Sequence, residues 1–179
     1  MRVFIILIFT AFTTGALAQC PKNPAISEEL DEAYRSLKFA KFPRDAQVAT
    51  DVLWSLWTRA PDNRAQRLLN RGMMNLRLGD LAAAEGFLSV LIKYCPDYAE
   101  GYNQRAFARY LAGNFEGALP DLARALSILP RHLGALSGKG LTHLALGQPE
   151  LAEIEFRKEM ALNPFTADRD LITNLGTDL

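Results

Sequence analysis

The apolar residues of this chain fall into two unlike patterns. From Val3 to Phe12 they run almost without a break, as VFIILIFTAF. Beyond that they recur. Large apolar residues stand at Leu53, Leu88, Leu122 and Phe156, and small ones at Ala49, Ala84, Ala118 and Ala152, in steps of 35, 34 and 34. Gly79, Gly113 and Gly147 keep the same 34-residue step, and Pro61, Pro96, Pro130 and Pro164 close the units. A repeat of this length is one supersecondary unit that hides its apolar face only by stacking on neighbours. Each unit reads as helix–turn–helix. The glycine permits the left-handed turn that ends the first helix. Asp45, Asp80 and Asn114 suit the cap of the second, Pro149 suits a first helical position, and the closing proline cannot continue a helix.

The segments from Ala65 to Pro96, Ala99 to Pro130 and Leu133 to Pro164 resemble tetratricopeptide repeats, the family of 34-residue helical hairpins. That resemblance implies an all-α, right-handed solenoid with three clear repeats at 65–96, 99–130 and 133–164. A degenerate N-terminal repeat is expected over 30–61, and a short capping helix within 165–179. Gly72, Ala106 and Gly140 fill the small position where the paired helix packs closely; the degenerate unit has Leu37 there and Arg44 in place of the turn glycine. Trp54 and Trp57 are expected to cover the next hairpin, with an aromatic ligand patch as the alternative. Glu159 replaces the family's alanine, which suits a last repeat whose outer face meets solvent or a cap, and Pro120 predicts a local bend. Arg105 and Lys139 each have an acid sixteen residues on, Asp121 and Glu155. The expected cross-hairpin pairs compete with simple solvation of a face. Arg71 has Phe87 at that offset instead.

The first apolar run is too short to span a bilayer comfortably. With Arg2 before it and Ala16-Leu17-Ala18 after it, residues 1–18 read as a signal peptide cleaved before Gln19, followed by an extended leader over 19–29. The mature protein is then periplasmic or secreted. Cys20 leaves three outcomes open: a disulfide with Cys95, two unpaired thiols, or lipidation, for which Leu17-Ala18-Gln19-Cys20 fits except at Gln19. Membrane attachment is expected only in the lipidated case.

Composition narrows function by exclusion. Twenty basic and twenty acidic side chains leave no basic stripe for nucleic acid. The only histidines, His132 and His143, lack partners at zinc-ligand spacing, and no nucleophile or phosphate-loop motif is present, so no catalytic residue, metal or cofactor is assigned. What remains is the concave groove that the resemblance places along the first helices, where a protein or peptide partner would lie. Its expected lining is Tyr34, Lys38, Leu69, Asn70, Met73, Arg77, Asn103, Phe107, Tyr110, Ser137, Leu141 and Leu144. The apolar members serve equally well as core. Of the Lys, Asn and Arg clamp that some family members use for chaperone tails, only Asn70 matches; Glu100 and Gln104 stand where cations are needed. The sequence thus points to a non-catalytic scaffold. The alternatives are a membrane-tethered adaptor for envelope or secretion-complex assembly and, last, a subunit of an envelope hydrolase.

Overall fold

The computed structural model describes residues 20–21 and 26–175, with side chains through Ile172. The expected export signal and most of the leader lie outside these residues. Nine helices follow one another, with no strand among the described residues: α1 Ser27–Lys38, α2 Pro43–Trp57, α3 Asn63–Leu78, α4 Leu81–Tyr94, α5 Ala99–Leu111, α6 Phe115–Ile128, α7 Leu133–Ala145, α8 Pro149–Leu162 and α9 Arg169–Leu175. None is long and apolar enough to cross a membrane. Helix α1 begins at Ser27, inside the span expected to be leader.

The hairpins α3–α4, α5–α6 and α7–α8 stack in order, each second helix against the next first helix. Small residues set the closeness. A Cβ on Gly72 would stand 2.6 Å from Leu88 Cγ, and one on Gly140 would stand 2.3 Å from Phe156 Cε1. Such overlaps force a shift of packed side chains. The turn glycines Gly79, Gly113 and Gly147 have φ of 77°, 75° and 69°. Asp80 and Asn114 accept backbone N–H bonds from Ala83 and Gly117, capping α4 and α6. Asp45 does not cap: Phe42 holds the N-cap of α2, and Pro43 sets its first turn without a side-chain acceptor. Helix α6 stays continuous through the exposed Pro120, and the Arg109 guanidinium donates to the nearby Gly117 carbonyl.

The first hairpin departs from expectation. Helix α2 does not stack on α3; α1 instead meets α8. Its core of Leu30, Tyr34, Leu37, Leu53, Leu56 and Trp57 runs into Leu129, Leu133, Leu162 and Phe165. The hairpin therefore crosses the concave side, against the corners between repeats. The reason lies on α3. Where α5 and α7 receive the preceding helix, they offer Gly101 and Ala108, and Ala135 and Thr142, all buried. The same register on α3 holds Arg67 and Met74, too bulky for close helix approach. Several contacts hold the hairpin in its actual place. Tyr98 Oη donates to the Trp57 carbonyl at 2.7 Å, Tyr34 Oη donates to the Arg131 carbonyl, and Asp31 pairs with Arg131. Burial drives the Tyr34 and Tyr98 hydroxyls well above the ordinary phenol range, so both act as donors. A disulfide joins Cys20 to the buried Cys95 at the α4–α5 corner, tying the chain before α1 to the stacked repeats.

At the other end, the turn before α9 closes over α8. Of the two expected settings for Glu159, solvent or a cap, it has the second: it is buried beneath this turn. Its Oε1 accepts from Thr166 Oγ1 at 2.7 Å, and Ser137 donates to the neighbouring Asp168. Burial first, then the Asp168 carboxyl beside it, pushes the Glu159 carboxyl up to about 8.

Candidate groove and its supporting network

The first helices α3, α5 and α7 lie side by side along the concave face. Helix α2 crosses in front of them and leaves a cavity of about 380 Å³ between Trp54 and all three. Six of the expected groove residues meet there: Met73, Arg77, Asn103, Phe107, Tyr110 and Leu141. The walls are mostly apolar. Phe107 is 49% exposed and Trp54 43% exposed, so both are surface aromatics and not core. Tyr110 is steadied by Phe115, with ring centroids 5.3 Å apart. Gly134 and Gly138 of α7 also line it, and a Cβ on Gly138 would stand 3.1 Å from Leu122 Cδ2 of α6.

The other expected residues lie elsewhere. Leu69 is fully buried in the α3–α4 core. Asn70 faces solvent and accepts from the Gln66 amide. Tyr34 is buried beneath the Arg131 guanidinium, 4.3 Å from its ring centre. Lys38 lines a separate polar cleft between α1 and α8. Leu144 is half-buried outside the cavity, and Ser137 is engaged with Asp168. Trp54 and Trp57 divide their roles: Trp54 walls the cavity, while Trp57 stacks on His132 at 4.2 Å between centroids. Neither covers α3–α4 as the preceding repeat would.

Beneath the cavity floor lies a buried polar network that sequence patterning missed. The Glu100 side chain has no exposure, and neither does His132. His132 Nδ1 accepts the Ala135 backbone N–H at 3.3 Å, which leaves Nε2–H to donate to Glu100 Oε2 at 2.7 Å. The amides of Gln104 and Asn103 donate to the same carboxylate at 2.5 Å and 3.2 Å. Both ring nitrogens of His132 are thus spent on structure, and its ring face carries Trp57. The network couples α5, α7 and the α2 terminus. The one signal in the sequence was that Glu100 and Gln104 replace cations one turn apart.

The cross-hairpin ion pairs are present. Arg105 grips the buried Asp121 with two bonds, at 2.8 and 2.7 Å, and Arg109 adds a third at 3.1 Å. The Asp121 hydrogen bond holds the Arg105 guanidinium above its ordinary range. Lys139 donates to Glu155 at 2.9 Å. Burial raises the Glu155 carboxyl, but the Lys139 and Lys158 ammonium groups outweigh it and hold it below its usual range. Among the described residues, no group of three or more His, Cys, Asp or Glu is placed to hold a metal ion.

This arrangement of stacked helical hairpins is matched in known structures. The first repeat domain of Spaghetti (RPAP3), solved with an HSP90 peptide, superposes with a TM-score of 0.62 at 19% identity, covering 64% of this chain and 92% of that one. The chain has the tetratricopeptide-repeat fold. The MamA protein matches with a TM-score of 0.52 at 20% identity, over 76% of each chain. A TPR repeat-containing protein of Rhizobium etli is 28% identical over 142 residues, 79% of this chain and 69% of its own. Tetratricopeptide repeat protein 36 of Bos taurus is 31% identical over 121 residues, 65% of this chain. The chain spans 64% of that bovine relative and 58% of its Danio rerio counterpart. No family model matches.

Proposed function

We propose that this tetratricopeptide-repeat chain is a non-catalytic interaction module of the bacterial periplasm that holds a peptide or helix in its concave groove. The observation that carries this is the open, mostly apolar cavity between Trp54 and the first helices, walled by Phe107, Tyr110 and Met73. Exposed aromatic and Met side chains around a recess give large contact area at low ordering cost. Because α2 already fills part of the groove, the partner inserts one or two large apolar side chains beside Trp54 and does not run the groove's full length. The charged clamp needed for an acidic peptide terminus is missing, since Glu100 is buried against His132. Export is supported by the leader pattern and by the Cys20–Cys95 bond, which fits an oxidising compartment. That bond also occupies the sulfur that lipidation would require.

The test is photo-crosslinking in the native envelope from a reactive group placed at Arg77, on the cavity rim. A discrete product in the periplasmic fraction is expected. Phe107→Ala with Tyr110→Ala should abolish it while the helical circular-dichroism signal is unchanged. A product that persists in the double variant rejects the groove.

A further inference from the structure

Among the described residues, the face of α3 that a preceding repeat would cover is open, and its chemistry is particular. Arg67, Arg71, Met74 and Leu78 are spaced by four, three and four residues, which aligns them on one stripe of the helix. All four are exposed, Leu78 to 72% and Met74 to 49%. Val90 of α4 lies alongside, 48% exposed, above a shallow depression that it shares with Arg64, Leu68 and the two stripe arginines. The stripe is basic at one end and apolar at the other.

Its charge is unanswered. Helix α3 carries four arginines and no acid, in a chain whose total charge is zero. Among the described residues, neither Arg67 nor Arg71 has a carboxylate partner. The later repeats show what is missing. Arg105 and Lys139 occupy the register of Arg71, and each finds its acid within its own hairpin, in Asp121 and Glu155. In the first full repeat that acid is replaced by Phe87, and Arg71 rests over the ring at 5.5 Å. No carboxylate of this hairpin pairs with Arg71, since Glu85 is held by Arg109 and Asp80 caps α4, and the first hairpin of the chain is engaged on the concave side.

We infer that the open α3 face docks an acidic amphipathic helix of a partner protein. Carboxylates one turn apart meet Arg67 and Arg71, and Leu-sized side chains further along the same face cover Met74, Leu78 and Val90. The incoming helix stands farther off than α4 stands from α5, because Arg67 and Met74 replace Gly101 and Ala108. Electrostatic complementarity sets its orientation along the stripe. This site is separate from the cavity beside Trp54 and does not rest on it.

Fluorescence anisotropy on the full, oxidised chain tests it. The probe is a synthetic amphipathic helix with two glutamates one turn apart, followed on the same face by two leucines; its twin carries lysines in place of the glutamates. The glutamate helix should bind, more weakly as salt rises, and the twin should not. Among the described residues the Arg67 side chain has no hydrogen bond or ion pair to lose, so Arg67→Glu leaves the fold intact and should weaken binding roughly tenfold or more. Phe107→Ala should leave binding unchanged. Equal binding of the lysine twin, no effect of Arg67→Glu, or loss on Phe107→Ala would overturn the assignment. So would light scattering that shows a dimer dispersed by Arg67→Glu, because the occupant is then a second copy, through its acidic α1.

Discussion

Replacing His132 by Ala should destabilise the chain by about 3–5 kcal/mol, the cost of removing one partner from a buried pair. The imidazole has no exposure and answers a carboxylate that has none either. Without it, Glu100 keeps only the Asn103 and Gln104 amides, and the Ala135 N–H at the start of α7 loses its side-chain acceptor and keeps only the backbone carbonyl of position 132. Trp57 also loses the ring on which it stacks. Urea denaturation followed by circular dichroism measures the effect. Glu100→Gln should cost less, since the amide remains hydrogen-bonding and carries no charge into the interior. The two substitutions together should cost clearly less than their sum, because each removes the same interaction. A loss below about 1 kcal/mol for His132→Ala would mean that the network does not hold the hairpin to the repeats.

The second large effect is a dependence on pH set by Glu159. Its carboxyl titrates near 8 in the folded chain and in the ordinary carboxyl range once unfolded. The folded state therefore binds the extra proton between those two values. Stability from this group is fully present below the unfolded value and is lost as pH rises through about 8. Raising pH from 5 to 9 should weaken the chain by on the order of 4 kcal/mol, and Glu159→Gln should remove most of that slope. At pH 9 the Gln variant should be the more stable protein, because it spares the cap a buried charge beside Asp168. A wild-type curve that is flat over this range, or identical in the variant, would show that Glu159 ionises freely.

The repeats were legible because their packing is built from size alone. Gly72 under Leu88 and Gly140 under Phe156 are pairs that a 34-residue comparison exposes directly. The same register brought Met73, Arg77, Asn103, Phe107, Tyr110 and Leu141 to one cavity. It failed for Tyr34 and Lys38 because the first hairpin does not share the register of the stack. Leu69 went to the core because it sits on the side of α3 turned toward α4. The placement of the first hairpin was the least legible feature, since it turns on a comparison between repeats: Arg67 against Gly101 and Ala135, Met74 against Ala108 and Thr142. The Glu100–His132 contact joins residues 32 apart across two repeats, and no local pattern marks it.

Helices α1 and α2 fold across the concave side and do not extend the stack. Nuclear Overhauser spectra of the oxidised chain address this placement directly. Strong cross-peaks are predicted between the Trp57 indole and the His132 imidazole, whose rings lie 4.2 Å apart. If those peaks are missing and Trp57 shows contacts to Arg67 and Met74 of α3 instead, the hairpin is an ordinary first repeat that extends the stack.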